Sequence, residues 1–415
     1  MTNLIKFFYL IFLLSICYSK PTIQFSRISN FAEGEEPNSV YYNESENPDT
    51  TSFRINENLL GIGVSFNQFY FFTHLEYSEE PVFGIERRKT VDMPHSYYLE
   101  YLGSFNIKVG NIYSLYTRGL IFNTYQDQDI DFDNSILGVE FSYDVLDWMR
   151  FYTIHGSDTY EFRVNPQSQL NELSFDHKIS FYGSEFSLLD NMILNLQYMN
   201  QELIVDESVR MDGGEGYNFI DHHSGMTFII SEHIKENFNL FINDNITEYI
   251  INSDKVGLSI EYYVFGVDIY SEYVVNKYTR LDPGVVIGKE LDGSLWFSSL
   301  SADIFNIGIT YEFKRYDSPY FIETISSAPF VYKEVSSVLQ SRLSHQMNFV
   351  NEIGHQFDIL YPLGDNFMLN VNLSTARRIH GSKAMISNSE LSYDLNSLDL
   401  YNYIPVVPLC LDVMC

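Results

Sequence analysis

NMILNLQYM, residues 191–199, is the stretch whose reading decides how the chain folds. Leu194, Leu196 and Tyr198 alternate with Asn195 and Gln197, a two-residue beat that sends the two sets to opposite faces of a β-strand. The beat returns in residues 307–313, where Ile307, Ile309, Tyr311 and Phe313 alternate with Gly308, Thr310 and Glu312. It returns again where Leu258, Ile260, Tyr262 and Val264 flank Ser259, Glu261 and Tyr263. Phe367, Leu369, Val371 and Leu373 repeat it against Met368, Asn370, Asn372 and Ser374. Such segments are about ten residues long and are separated by Asn, Asp, Gly and Ser turns, the pattern of strands that cross an outer membrane.

One face of these strands is apolar, and the other carries Asn, Gln and Glu. A two-layer sandwich needs an apolar interior, and a propeller needs a blade-length repeat that this chain lacks. In lipid, backbone groups find partners only within the sheet, so the sheet must close. The expected fold is therefore all-β: a large antiparallel transmembrane β-barrel of roughly 18–20 strands. Doublets such as Phe71-Phe72, Tyr97-Tyr98 and Tyr262-Tyr263 would form its interfacial girdles.

The 415 residues carry 25 Lys and Arg against 55 Asp and Glu, a formal charge of −30. Phosphate backbones are bound by cationic side chains, so nucleic acid is excluded as a partner. Aromatics reach 16% while charged residues are only 19%, below the roughly 25% of ordinary soluble domains. Residues 1–19 read as a signal peptide: Lys6 supplies the positive start and residues 7–16 an apolar run too short to span. The chain is thus expected in the outer membrane after export, in contact with its lipid and with the barrel-insertion machinery. Cys17 falls in the signal and Cys410 and Cys415 near the end, which gives no disulfide framework and no zinc spacing.

The remaining sequence divides into an acidic lead, 20–52, a barrel, 53–405, with loops at 206–224 and 317–346, and an atypical tail, 406–415. Residues 30–52 read as a mobile loop. The ending YNYIPVVPLCLDVMC has two prolines and no alternation, and reads as a truncated or frame-shifted barrel end.

YQDQDIDFDN places aspartates at 127, 129, 131 and 133. As a calcium loop, Asp129, Asp131, Asp133, Ser135 and Glu140 would take the liganding positions, but the flanks 112–122 and 139–143 read as strands rather than helices. A wet strand-and-turn is the stronger reading, with arginines across the barrel such as Arg118 or Arg150 relieving the repulsion. Asp221, His222 and His223 read as a loop, because adjacent residues of a strand face opposite ways. The paired acids Glu35, Glu36, Glu79 and Glu80 read as solvated turns. No phosphate loop, nucleophile elbow or HExxH is present, so no catalytic role and no cofactor are expected.

GNIYSLYTRGLIFNTYQDQDIDFDNSILGVEF, residues 110–141, resembles the signature of an uncharacterised family of exported Gram-negative proteins, a domain of unknown function whose members resemble outer-membrane barrels. Gly110, Asn111, Tyr113, Gly119, Leu120, Asp133, Asn134 and Gly138 fall on its pattern. Thr117 departs from it, since the family usually has glycine there. Leu339, Arg342, Asn351, Glu352, Gly354 and Gln356 form a second match. The resemblance implies a barrel and its location, and no activity. The expected role is a porin-like passive channel or binding barrel with an acidic, cation-favouring interior. The alternative is a structural or assembly component that docks an envelope protein through acidic loops.

Overall fold

The computed structural model describes residues 20–37, 50–78, 90–127, 132–162, 173–205, 218–221, 226–229, 249–281, 290–317, 325, 352–363, 367–378, 383–386, 389–391 and 410–414. The first strands are β1 (Thr22–Pro37), β2 (Thr50–Phe66), β3 (Phe69–Ser78), β4 (Thr90–Leu102), β5 (Asn106–Ile112), β6 (Gln126–Asp127) and β7 (Phe132–Asp133). Then come β8 (Ile136–Leu146), β9 (Met149–Phe162), β10 (Leu173–Leu189), β11 (Met192–Val205), β12 (Asn218–Asp221), β13 (Met226–Ile229), β14 (Tyr249–Val264) and β15 (Val267–Leu281). The last are β16 (Glu290–Ile304), β17 (Ile307–Asp317), β18 (Glu352–Leu363), β19 (Phe367–Arg378), β20 (Lys383–Ile386), β21 (Ser389–Leu391) and β22 (Cys410–Met414).

The main sheet is 16-stranded, in the order β1-β2-β3-β4-β5-β8-β9-β10-β11-β14-β15-β16-β17-β18-β19-β22. Its neighbours pair antiparallel, as in β10 on β11 and β14 on β15. β12, β13, β20 and β21 form a separate sheet, and β6 pairs with β7. The chain therefore leaves the main sheet after β5, after β11 and after β19. Connections alternate: tight turns at residues 67–68, 147–148, 190–191, 265–266 and 305–306 mark one end of the sheet, and far longer connections mark the other. That asymmetry is characteristic of outer-membrane barrels. The sheet's two edges, β1 and β22, share no ladder among the described residues.

Two expectations are corrected here. Among the described residues the main sheet has 16 strands, near the roughly 18–20 expected, and strands such as β10 and β14 run 17 and 16 residues where about ten would cross. The lead is not a loop throughout: β1 lies within it and pairs with β2 from Thr22↔Ser65 to Pro37↔Thr50. A partner strand orders residues whose own composition favours a turn. The tail also joins the sheet, as β22 on β19 with Cys410 opposite Asn372.

The two faces are wetted in the reverse of a soluble protein. Along β14, Ser253, Lys255 and Ser259 are buried, whereas Val256 is 56% and Leu258 47% exposed. β15 repeats this, with Glu272 and Asn276 buried and Tyr273 and Val275, between them in sequence, exposed. Leu196 and Tyr198 lie outward on β11 while Gln197 and Gln201 are buried. Register aligns these outward residues into a continuous band: Leu196 opposes Leu258, and Leu258 opposes Tyr273. Water would disfavour so large an apolar patch and would not drive Lys and Glu inward. The band meets an apolar solvent. Beyond it, nearer the long connections, the outer face turns polar: Lys178 pairs with Glu202 at 3.0 Å and the Tyr198 hydroxyl donates to Asp254 at 2.7 Å. No helix among the described residues is long and apolar enough to cross a membrane. An all-β barrel wall fits these features, with the strands themselves as the crossing elements.

Candidate functional site

Residues 113–125, of which 113–122 were expected to continue a strand, instead leave the wall at Ile112 and fold against its inner face. The reason lies in local chemistry. Gly110 has φ +126°, and a Cβ there would come within 2.2 Å of the Tyr97 carbonyl oxygen, so only glycine permits this close strand approach. Thr124 then closes the base of the excursion: its amide donates to the Ser114 carbonyl at 3.0 Å and its hydroxyl to the Ile112 carbonyl at 2.9 Å. Asn134 ties the returning limb, accepting from the Tyr125 amide at 2.7 Å and donating to the Asn123 carbonyl at 2.9 Å. Asn111 accepts from the Tyr97 amide at 3.0 Å and donates to the Ser135 hydroxyl at 3.1 Å. The backbone of the loop thus satisfies much of its hydrogen bonding locally, as an enclosed segment must.

Two wall carboxylates latch the loop. Glu140 of β8 accepts from Ser114 Oγ at 2.8 Å and from Tyr116 Oη at 2.5 Å, with Lys108 Nζ at 3.8 Å. Glu272 of β15 accepts from Thr117 Oγ1 at 2.8 Å, from the Arg118 amide at 3.2 Å and from Tyr270 Oη at 2.5 Å. The Arg118 guanidinium lies over the Tyr270 ring, 5.0 Å from its centre. Burial, reinforced by the charge of Glu140, pushes the Tyr116 hydroxyl far above its ordinary range, so it remains a donor.

Between the latches the loop packs. Leu120, Ile121 and Phe122 are fully buried. Tyr116 stacks on Tyr152 at 4.2 Å and Phe122 on Phe181 at 4.9 Å. Ile121 sits where a Cβ on Gly257 would fall, 2.5 Å from its Cδ1, so the wall is notched to receive it. One apolar cluster joins these loop residues to Ile154, Met199, Val274 and Phe297 of the wall, and to Ile325. The Asn123 amide donates to the Ile325 carbonyl at 2.8 Å. The loop therefore bridges strands from β8 to β17 across the inner face of the sheet.

The expected residues divide accordingly. Gly110, Asn111, Tyr113, Gly119, Leu120, Asn134 and Gly138 all lie in this loop or the strands that launch and receive it. Asp133 is in β7, and Asp129 and Asp131 lie outside the described residues. Of the other residues in the calcium reading, Ser135 accepts from Asn111 just before β8, and Glu140, within β8, accepts from the loop. Arg118 faces Glu272 and Tyr270, and Arg150 pairs with Asp144 at 2.6 Å beside a turn. Of the second match, Gly354 and Gln356 are in β18 and Glu352 begins it, while Leu339, Arg342 and Asn351 lie outside the described residues. The signal, His222, His223, Glu79, Glu80 and most of both expected loops lie outside them too, as do the acidic segments of the docking alternative. Glu272 was missed by sequence reasoning. Its signal was available: a carboxylate on the polar beat of a spanning strand. Among the described residues no group of three or more His, Cys, Asp or Glu could hold a metal ion.

The model of a family of unknown function, DUF6029, matches residues 1–403. The chain belongs to this family. The DUF6029 chain matches no curated protein in sequence. Among solved structures it is similar to OpdO of Pseudomonas aeruginosa, at 11% identity over 88% of this chain and 84% of that one, TM-score 0.46. It is similar to the outer membrane protein OpdK of the same organism, at 8% identity over 88% and 86%, TM-score 0.44. OccAB2 of Acinetobacter baumannii gives 9% identity over 88% and 85%, TM-score 0.42. At these identities and scores the likeness says nothing about solute or mechanism.

Proposed function

We propose that the chain is an outer-membrane barrel that acts as a passive channel or binding barrel, with residues 113–125 as its constriction. The observation that carries this is the inverted wetting of the sheet around an enclosed, latched loop. Lipid surrounds the apolar band, and a polar interior gives solutes a path that lipid denies them. Loop packing against the wall on several sides keeps the passage narrow. Net charge favours cations, although buried Lys255 and Lys314 leave the wall mixed in sign.

Planar-bilayer recording of the purified protein tests this. Small unitary steps with a cation-selective reversal potential are expected. Removing residues 115–122 enlarges the steps. A folded protein that conducts neither with nor without the loop contradicts the channel reading.

A further inference from the structure

The loop covers only part of the inner face. Among the described residues its apolar cluster takes none from β1 to β4. On that uncovered stretch β3 sends Tyr70, Phe72 and His74 inward, and β4 sends Tyr98 beside them. Lys108 of β5 fixes the direction, since it reaches both the Tyr98 ring and Glu140, the carboxylate that holds the loop. Phe72 lies 6.3 Å from Tyr70, with ring planes only 21° apart, and 4.6 Å from His74. Tyr98 lies 5.4 Å from Phe72 and 6.0 Å from Tyr70. All four rings are half-buried, so each keeps some accessible surface.

Glycines on β2 let two of these rings lie down. A Cβ on Gly63 would fall 2.7 Å from Tyr70 Oη and 3.3 Å from two of its ring carbons. One on Gly61 would fall 3.3 Å from His74 Cδ2 and Nε2. Tyr70 and His74 therefore lean over bare backbone and turn ring surface toward the interior. Polar groups of both signs flank the strip. Glu100 stands between Tyr70 and Lys108 in one cross-strand row, and Ser96 Oγ lies 3.5 Å from His74 Nδ1.

An aromatic face is electron-rich, and attracts either a cation or the weakly positive C–H face of a sugar ring. The cation's place over Tyr98 is taken by Lys108 Nζ, 5.1 Å from the ring centre. An acid and a base side by side suit a neutral ligand rich in hydroxyls, which both donate and accept. Ring faces repeated along one strand suit a chain of such units. We infer that Tyr70, Phe72, His74 and Tyr98 form a binding strip for a linear oligosaccharide, with Glu100 and Lys108 bonding its hydroxyls. The inference rests on the proposed solute path and names the class of solute that follows it.

The test is equilibrium dialysis of tritiated maltohexaose, cellohexaose and chitohexaose against full-length protein folded in an amine-oxide detergent, which carries no sugar. Saturable binding of at least one is expected. Phe72→Leu, which keeps apolar bulk and loses the ring, should weaken it about tenfold. Phe72→Tyr should retain it, and Tyr273→Ala, on the outward face, should leave it unchanged. Should Phe72→Leu lose the heat-modifiable gel mobility of the folded form, Tyr70→Leu decides in its place. No saturable binding of any of these sugars by folded wild-type protein overturns the strip. So does binding that the deciding variant leaves intact, because the sugar is then held elsewhere. Displacement of the sugar by equimolar tetraethylammonium overturns the saccharide assignment in favour of a cation site. Dialysis does not depend on conductance: sugar binding by a barrel that conducts nothing keeps the strip and ends the channel, and conduction without sugar binding does the reverse.

Discussion

Thr117 has φ +56°, in the left-handed region that glycine adopts most readily. A β-branched residue in the left-handed region costs about 1–2 kcal/mol. The hydroxyl repays that cost through its bond to Glu272. Thr117→Gly therefore loses a hydrogen bond and relieves strain, and should change stability by less than about 1 kcal/mol, read from the midpoint of heat-modifiable mobility. Thr117→Val keeps the strain and loses the bond, and should destabilise by about 1–3 kcal/mol. Glu272→Ala strips three donors of one charged acceptor. Each such bond contributes about 1.5–3 kcal/mol, so the loop should release, with larger and noisier single-channel steps. Steps indistinguishable from wild type contradict the latch. At this scale the sequence was only half legible. The glycine pattern marked Gly110 and Gly119 as special, but that Glu272 accepts from a loop some 155 residues earlier in the chain is a fact of curvature that no local spacing encodes.

The loop and its launching strands are one element, and the sequence misled about it. Tyr113, Leu115 and Thr117 alternate with Ser114, Tyr116 and Arg118, which reads as strand. The departure is decided instead by Gly110, with its positive φ, and by Thr124 and Asn134, which satisfy the freed backbone. Gly110→Ala places a methyl group against the Tyr97 carbonyl and adds strain at φ +126°. The sheet must part or the loop must rejoin it, and the folded gel mobility should be lost or its midpoint lowered by the equivalent of about 3 kcal/mol or more. An unchanged midpoint removes the backbone explanation. The lead and tail were misread for a related reason. Residues 30–37 are turn-like in composition, yet β2 offers them a ladder, and pairing overrides weak local preference.

For the whole molecule, the alternation in residues 191–199 and 258–264 was sufficient to give an all-β antiparallel wall and its two faces. Which face is enclosed came from the same beat, because only lipid lets the apolar side face out. Strand number was less legible, since the beat does not say where a strand stops beyond the apolar band. The central claim is that the band of Leu196, Leu258, Tyr273 and Leu300 contacts lipid while its alternates do not. A charge placed there, as in Leu258→Arg, should cost roughly 2–4 kcal/mol at mid-band and little near the polar edge. The most direct measurement is spin labelling along β14 in vesicles, with cysteines introduced singly at residues 255–260 after Cys17, Cys410 and Cys415 are replaced by serine. Collisions with oxygen, which dissolves in lipid, should be high at 256, 258 and 260 and low at 255, 257 and 259, against a low nickel-chelate signal at the outward sites. Outward sites that collide freely with the nickel chelate, or an oxygen profile of the opposite phase, contradict the account.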